Sequence, residues 1–144
     1  MWFFGNLYEA IVIGPNMLID SVHRLQAWQE FFVLTNPIFF YVPVTQLATI
    51  VLVVLFIKTP DGRAEIKRFL KWASILQVVS IILSIYIITQ INLKLFFGDL
   101  SKISSEVFQM ALMWNVLNIV RVFLVGVALC FIFKAYIRTQ KELN

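Results

Sequence analysis

Four long apolar segments, almost free of charge, constrain the fold of this chain more than any other feature. They cover residues 1–19, 38–57, 72–93 and 107–133, and their only charged residues are Glu9 in the first and Arg121 in the last. A helix needs about 20 apolar residues to cross the ~30 Å hydrocarbon core of a bilayer. Because lipid offers the backbone no hydrogen-bond partners, uninterrupted apolar runs predict helices. We therefore expect an all-α integral membrane protein.

The composition supports this class and excludes several others. Of 144 residues, 60% are hydrophobic and only 14% are charged, whereas soluble domains have about 25% charged residues. This excludes a disordered chain, a nucleic-acid-binding domain and a water-soluble globule. The chain has a single cysteine, Cys130, and a single histidine, His23. It therefore cannot build a disulfide, a zinc finger or a bis-histidine haem site alone, and we expect no metal and no cofactor.

The loops predict how the four helices are arranged. Basic residues concentrate in the second connection and the C-terminal tail, which carry eight, against three in the first and third connections. The positive-inside rule then places both termini in the cytoplasm. We expect one transmembrane domain over residues 1–144 in the cell membrane, an up-down four-helix bundle. The mixed segment 20–35 is expected either to lie flat at the interface or to extend the first helix.

Each predicted span carries one strongly polar residue near its midpoint. These residues are Glu9, Gln46, Gln77 and Arg121. A charged side chain at that depth costs about 2.5–3.5 kcal/mol or more unless it is paired. The sequence therefore predicts a buried polar layer with an ion pair between Glu9 and Arg121. Such a layer has two interpretations, a structural one that fixes helix register and a functional one.

A second polar group lies in the predicted outer half of the bundle. On the last span Trp114, Asn118 and Arg121 share one helix face, and Asn115 flanks it. The residues expected to face them are Asn16 and Tyr41, near the helix-bending prolines Pro15 and Pro43. This pattern predicts a ligand-binding pocket with few polar groups. The alternative is that these side chains only join helices and that Trp114 belongs to an interfacial belt.

His23 follows the first span near the predicted outer mouth of this pocket. Its side chain has an unperturbed pKa near neutrality, so it is the candidate for a general base. The alternative is an exposed loop histidine without a chemical role.

The stretch from Met113 to Arg121 contains the pattern W-N-x-x-N-x-x-R. It resembles a signature near the C-terminus of a family of small four-span membrane proteins that includes the anthrone oxygenases. The resemblance implies O₂ insertion into an electron-rich aromatic substrate without metal or flavin. It also implies that Trp114, Asn118 and Arg121 line the substrate site. No base can be assigned from it.

Two functional hypotheses follow from the sequence. The first is a membrane protein that binds a small apolar molecule, aromatic or quinone-like, and that could act as a cofactor-independent oxygenase. The alternative is a non-catalytic accessory subunit of a larger membrane complex. A transporter ranks third, because we find no inverted repeat. The expected partners are the lipid bilayer, a small hydrophobic ligand, and a second copy of the chain or a larger complex. Nucleic acid is not expected.

Overall fold

The computed structural model describes residues 2–143, and these residues form helices and turns without any strand. We label the five helices in chain order. They are α1 over residues 2–17, α2 over Ser21–Phe31, α3 over Pro37–Lys58, α4 over residues 64–95 and α5 over Val107–Leu143. Short 3₁₀ turns at Asp61–Arg63 and Leu100–Ile103 lead into α4 and towards α5. The all-α prediction is confirmed.

Three helical stretches are long and apolar enough to cross a membrane. They are Pro37–Lys58, Asp61–Leu95 and Val107–Leu143. The first predicted span is shorter in the structure, because its 16 helical residues in α1 extend only about 24 Å at 1.5 Å per residue. The structure is therefore consistent with a membrane protein.

The two longest helices extend well beyond the predicted apolar spans. Helix α4 begins at Ala64 instead of residue 72, and α5 continues to Leu143 instead of ending at residue 133. Ion pairs join these polar extensions, with Arg138 Nε 2.9 Å from Glu65 Oε2 and Arg63 Nε 3.3 Å from Glu142 Oε2. Hydropathy identified the apolar parts only, since charged helical turns outside lipid leave no apolar signal.

The segment after α1 forms the separate helix α2. Asp20 adopts a left-handed backbone conformation, with φ of 51°, and this breaks the chain between α1 and α2. The prediction that the segment could extend the first helix is therefore wrong. Gln29 Nε2 donates to the carbonyls of Leu95 and Gly98, each at 3.0 Å. Because the last carbonyls of a helix have no intrahelical donor, these bonds dock α2 onto the end of α4.

The buried apolar residues form two separate clusters. One lies at the α2 end of the bundle and contains Met17, Leu25, Ile91, Leu95 and Trp114 among others. The other lies towards the 59–63 turn, with Leu52 of α3, Ile66, Leu70 and Ala73 of α4, and Ala135 of α5. The polar side chains described below lie between the two clusters.

Candidate functional site

A charged pair forms the centre of the site, between α1 and α5. Arg121 Nη2 lies 3.5 Å from Glu9 Oε2, so the ion pair predicted from the sequence is present. The same Nη2 also donates to the side-chain oxygen of Asn6, and Nη1 donates to Ser84 Oγ at 3.5 Å. The guanidinium thus connects α1, α4 and α5. Both charged side chains are largely buried, with 13% of Arg121 and 14% of Glu9 exposed.

The predicted amide members of this layer lie elsewhere. Gln46 is exposed on α3, so its placement in a buried layer is wrong. Gln77 is buried on α4, as expected. The hydrogen bonds to Arg121 come instead from Asn6 and Ser84. A small hydroxyl at position 84 suits this role, because it is two helical turns along α4 from Gln77 and faces α5.

A cavity of about 90 Å³ opens beside the charged pair. By volume it holds several water molecules, since one needs about 10–15 Å³ on the same measure. Glu9 and Arg121 form one side of it, and polar groups of α3 and α4 contribute to its walls. The other lining residues are mainly apolar: Pro37, Ile38, Val42, Ile81, Ile85 and Ile88. An apolar cleft with a few convergent polar groups is the usual form of a small-molecule site.

Three aromatic rings cover the end of the cavity near α2. The ring of Phe96 lies 6.0 Å from that of Trp114 and 6.0 Å from that of Trp28. All three line the cavity. Because Trp28 lies on α2, the docking of that helix through Gln29 completes this aromatic wall. Rings in such edge-on and tilted arrangements attract one another beyond their burial.

Two π-helical segments place polar residues against the cavity. In α1 the segment Glu9–Ile13 begins at Glu9, and the Gly14 N–H donates to the Glu9 carbonyl five residues earlier. In α4 the segment Ile87–Asn92 ends at Asn92. Pro15 has no N–H for the carbonyl of Ile11, so the ordinary ladder cannot continue there. Single π turns inside α-helices frequently occur at functional sites.

Several buried polar atoms near the cavity have no hydrogen-bond partner within residues 2–143. Asn92 Oδ1 and Arg121 Nε belong to residues that line the cavity. Asn92 is only 7% exposed. A buried polar group left unpaired costs about 1–3 kcal/mol. The cavity therefore presents one unused donor and one unused acceptor, which a ligand with both functions can satisfy.

Asn118 lies behind the cavity wall. It is fully buried, and within the described chain neither its amide nitrogen nor its oxygen has a hydrogen-bond partner. Asn115 packs against Gly14, where a Cβ would overlap its side-chain oxygen. Of the residues predicted for the pocket, Trp114, Tyr41 and Arg121 line the cavity, whereas neither asparagine does.

Two predicted site residues lie away from the cavity. Asn16 is exposed, and its amide donates to the Val12 carbonyl at 2.7 Å. It lines a separate depression together with Arg24. His23 is exposed on α2 and does not line the cavity. The placement of these residues in the pocket is therefore wrong, and His23 is not positioned as a base.

Sequence reasoning missed four residues of this site: Asn6, Trp28, Asn92 and Phe96. Asn92 closes an apolar segment, and its polarity at that position was the available signal. Trp28 could not be assigned without knowing that α2 folds back onto α4. Residues 2–143 contain no group of three or more His, Cys, Asp or Glu side chains able to hold a metal ion.

Comparison with known proteins gives no family for this chain. It matches no protein-family model, no curated protein sequence and no solved structure.

Proposed function

We propose that this chain is a four-span membrane protein that binds a small aromatic or quinone-like molecule in the cavity beside Arg121. The observation that carries the proposal is the pairing of an unused Arg121 Nε and an unused Asn92 Oδ1 in one apolar, aromatic-walled cavity. A ring with a hydroxyl group offers the acceptor and the donor that these two atoms need, together with a flat surface for Trp28, Phe96 and Trp114.

The topology is part of this proposal. Helix α1 would provide the fourth crossing, and the basic second connection and tail favour a cytoplasmic location for both termini in the cell membrane. Single cysteines introduced by Gly62→Cys and Ser104→Cys in a Cys130→Ser background test it. We expect an impermeant thiol reagent to label the first only in inside-out vesicles and the second only in right-side-out vesicles. Labelling of both from the same side would overturn this topology.

A binding experiment tests the ligand site directly. We expect 1-naphthol to bind the purified protein in detergent and the Arg121→Gln variant to bind it at least ~10-fold more weakly, because hydrogen bonds to charged groups contribute about 1.5–3 kcal/mol. Arg138→Gln, at an exposed arginine on the same helix, is the control and retains binding. Since Arg121→Gln leaves Glu9 unpaired, Asn92→Ala provides a second test with the ion pair intact. Unchanged affinity in both variants would contradict the proposal.

The oxygenase reaction is the narrower form of this proposal. A guanidinium in a low-dielectric cavity favours a phenolate or enolate, the electron-rich form that reacts with O₂. The resemblance to anthrone oxygenases supports this form through Trp114 and Arg121, which line the cavity. Because His23 lies outside the cavity, a different base must act. Glu9 is the carboxylate in position, and Glu9→Gln is expected to abolish turnover if the activity exists.

The outward surface of α3 favours a second candidate, an accessory subunit or a homo-oligomer. Leu47, Ile50 and Phe39 on this helix are all more than half exposed, and a partner helix could cover them as well as lipid does. Purification from native membrane in mild detergent distinguishes the candidates. A stoichiometric second protein supports the accessory role, whereas copies of this chain alone support the homo-oligomer.

A further inference from the structure

The cavity has one open side, between α3 and α4. Two lining residues on these helices, Gln46 and Ile85, are also exposed at the surface, with Ile85 53% exposed. The cavity is therefore continuous with the outside of the bundle at this position. The opposite walls are closed by the buried residues of α1 and α5.

The N-terminal half of α3 is loosely held. The buried apolar contacts of this helix lie in its other half, where Leu52 packs in the cluster with Ile66, Leu70 and Ala135. Pro43 lies inside α3 and cannot donate to the carbonyl of Phe39, which weakens the helix at this point. The α3 wall can therefore move relative to α4 while the far half of α3 stays packed.

The opening lies within the apolar parts of both helices. Ile85 is within Asp61–Leu95 and Gln46 within Pro37–Lys58, the stretches long and apolar enough to cross a membrane. In a bilayer this opening faces acyl chains, whereas Arg121 and Asn92 lie deeper, inside the cavity. A molecule that uses this side must be lipid-soluble at one end and polar at the other.

We propose that the ligand is an amphiphile, a hydroxylated aromatic head with an apolar tail, that enters from the bilayer between α3 and α4. Its head lies between Arg121 and Asn92, and its tail remains in the opening beside Ile85. This inference rests on the proposed function and adds the ligand class and its route.

Substitutions at the opening, with probes of defined structure, test the inference. The probes are 4-decylphenol and phenol, with decylbenzene as the tail without a hydroxyl group. The Ile85→Trp variant narrows the opening. Ile82→Trp is the matched control, because Ile82 is an exposed isoleucine on the same helix that does not line the cavity. Binding is measured in nanodiscs, with empty nanodiscs subtracted to remove partitioning into lipid.

We expect Ile85→Trp to weaken 4-decylphenol binding at least ~10-fold and phenol binding less than ~2-fold, with Ile82→Trp changing neither. Equal effects on both probes, or none, would overturn the route. Binding of decylbenzene as tight as that of 4-decylphenol would overturn the ligand class and identify an acyl-chain slot. If phenol binds and Asn92→Ala removes it while Ile85→Trp has no effect on either probe, the route fails and the proposed function stands. If no phenolic probe binds, both fail.

Discussion

Gly14 allows α1 to pack closely against α5. A Cβ at this position would overlap the side-chain oxygen of Asn115. We expect Gly14→Ala to destabilise the protein by about 1–3 kcal/mol through overpacking, although alanine is about 1 kcal/mol better than glycine in a helix. Gly62→Ala is the control, because nothing lies within 4 Å of a Cβ there. Unfolding in mixed micelles measures both, and an equal effect of the two variants would contradict this packing.

The Glu9–Arg121 pair is expected to behave as a unit. Removal of one partner leaves a charge buried and unpaired, which typically costs about 3–5 kcal/mol. Glu9→Gln should therefore destabilise the protein by about 3 kcal/mol. The double variant Glu9→Gln/Arg121→Gln should lose clearly less than the sum of the two single variants. Additive losses in the unfolding free energy would show that the two charges are not coupled.

At this scale the sequence predicted charges better than amides. Glu9 and Arg121 had to find one another, because an unpaired charge in lipid is costly. The amide Gln46 has no comparable constraint and lies at the surface. Asn16 satisfies its amide on its own helix, at the Val12 carbonyl. Rotation of a helix about its axis decides such cases, and residue spacing alone does not determine that rotation.

At the scale of elements, the position of α2 depends on Gln29. Its amide is the donor to the Leu95 and Gly98 carbonyls. We expect Gln29→Ala to cost about 1–3 kcal/mol, the penalty for unpaired buried acceptors, and to raise amide hydrogen exchange in α2 while α3 is unchanged. Gln26→Ala, at an exposed position on the same helix, should change neither. Exchange confined to other helices would contradict the docking role.

The turn before α5 is expected to depend on pH through Asp99. Hydrogen bonds from the Ser101 hydroxyl at 2.6 Å and the Ser101 N–H at 3.1 Å, with Lys102 nearby, lower the pKa of Asp99. Because the folded pKa is lowered, the stabilisation is complete above the unfolded pKa near 3.9. It is lost as pH falls through the lower folded pKa.

The Asp99→Ala variant tests this dependence. It should be less stable than the original protein near pH 6, and the difference should shrink below about pH 4. A difference in unfolding free energy that stays constant from pH 6 to pH 3 would show that the carboxylate charge is not involved.

Helices themselves were predictable, and their ends were less so. Apolar length identified the cores of α3, α4 and α5, and Asn36 caps α3 by accepting from the Ile38 N–H, as Asn-Pro sequences favour. The π-helical segments were not predicted, because they have no distinct composition. They place Glu9 and Asn92 at the cavity, so the missed local geometry also explains why Asn92 was missed.

At the scale of the molecule, a polar layer and a cavity separate two apolar clusters. Segment hydropathy predicted a helical membrane protein, but it contains no information about which helices touch. Helix α3 packs mainly on α4, and this one-sided packing leaves the cavity open. The chain fold of α2 over the bundle end, decided at Asp20, adds the aromatic wall that spacing did not indicate.

The central claim is that the cavity beside Arg121 holds a polar-headed ligand. A density map of the protein purified from its own membrane tests it most directly. We expect a non-protein feature with a flat head between Arg121 and Asn92 and an extension past Ile85 towards lipid. A cavity closed by repacked side chains, or an Arg121 side chain directed into the surrounding acyl chains, would contradict it.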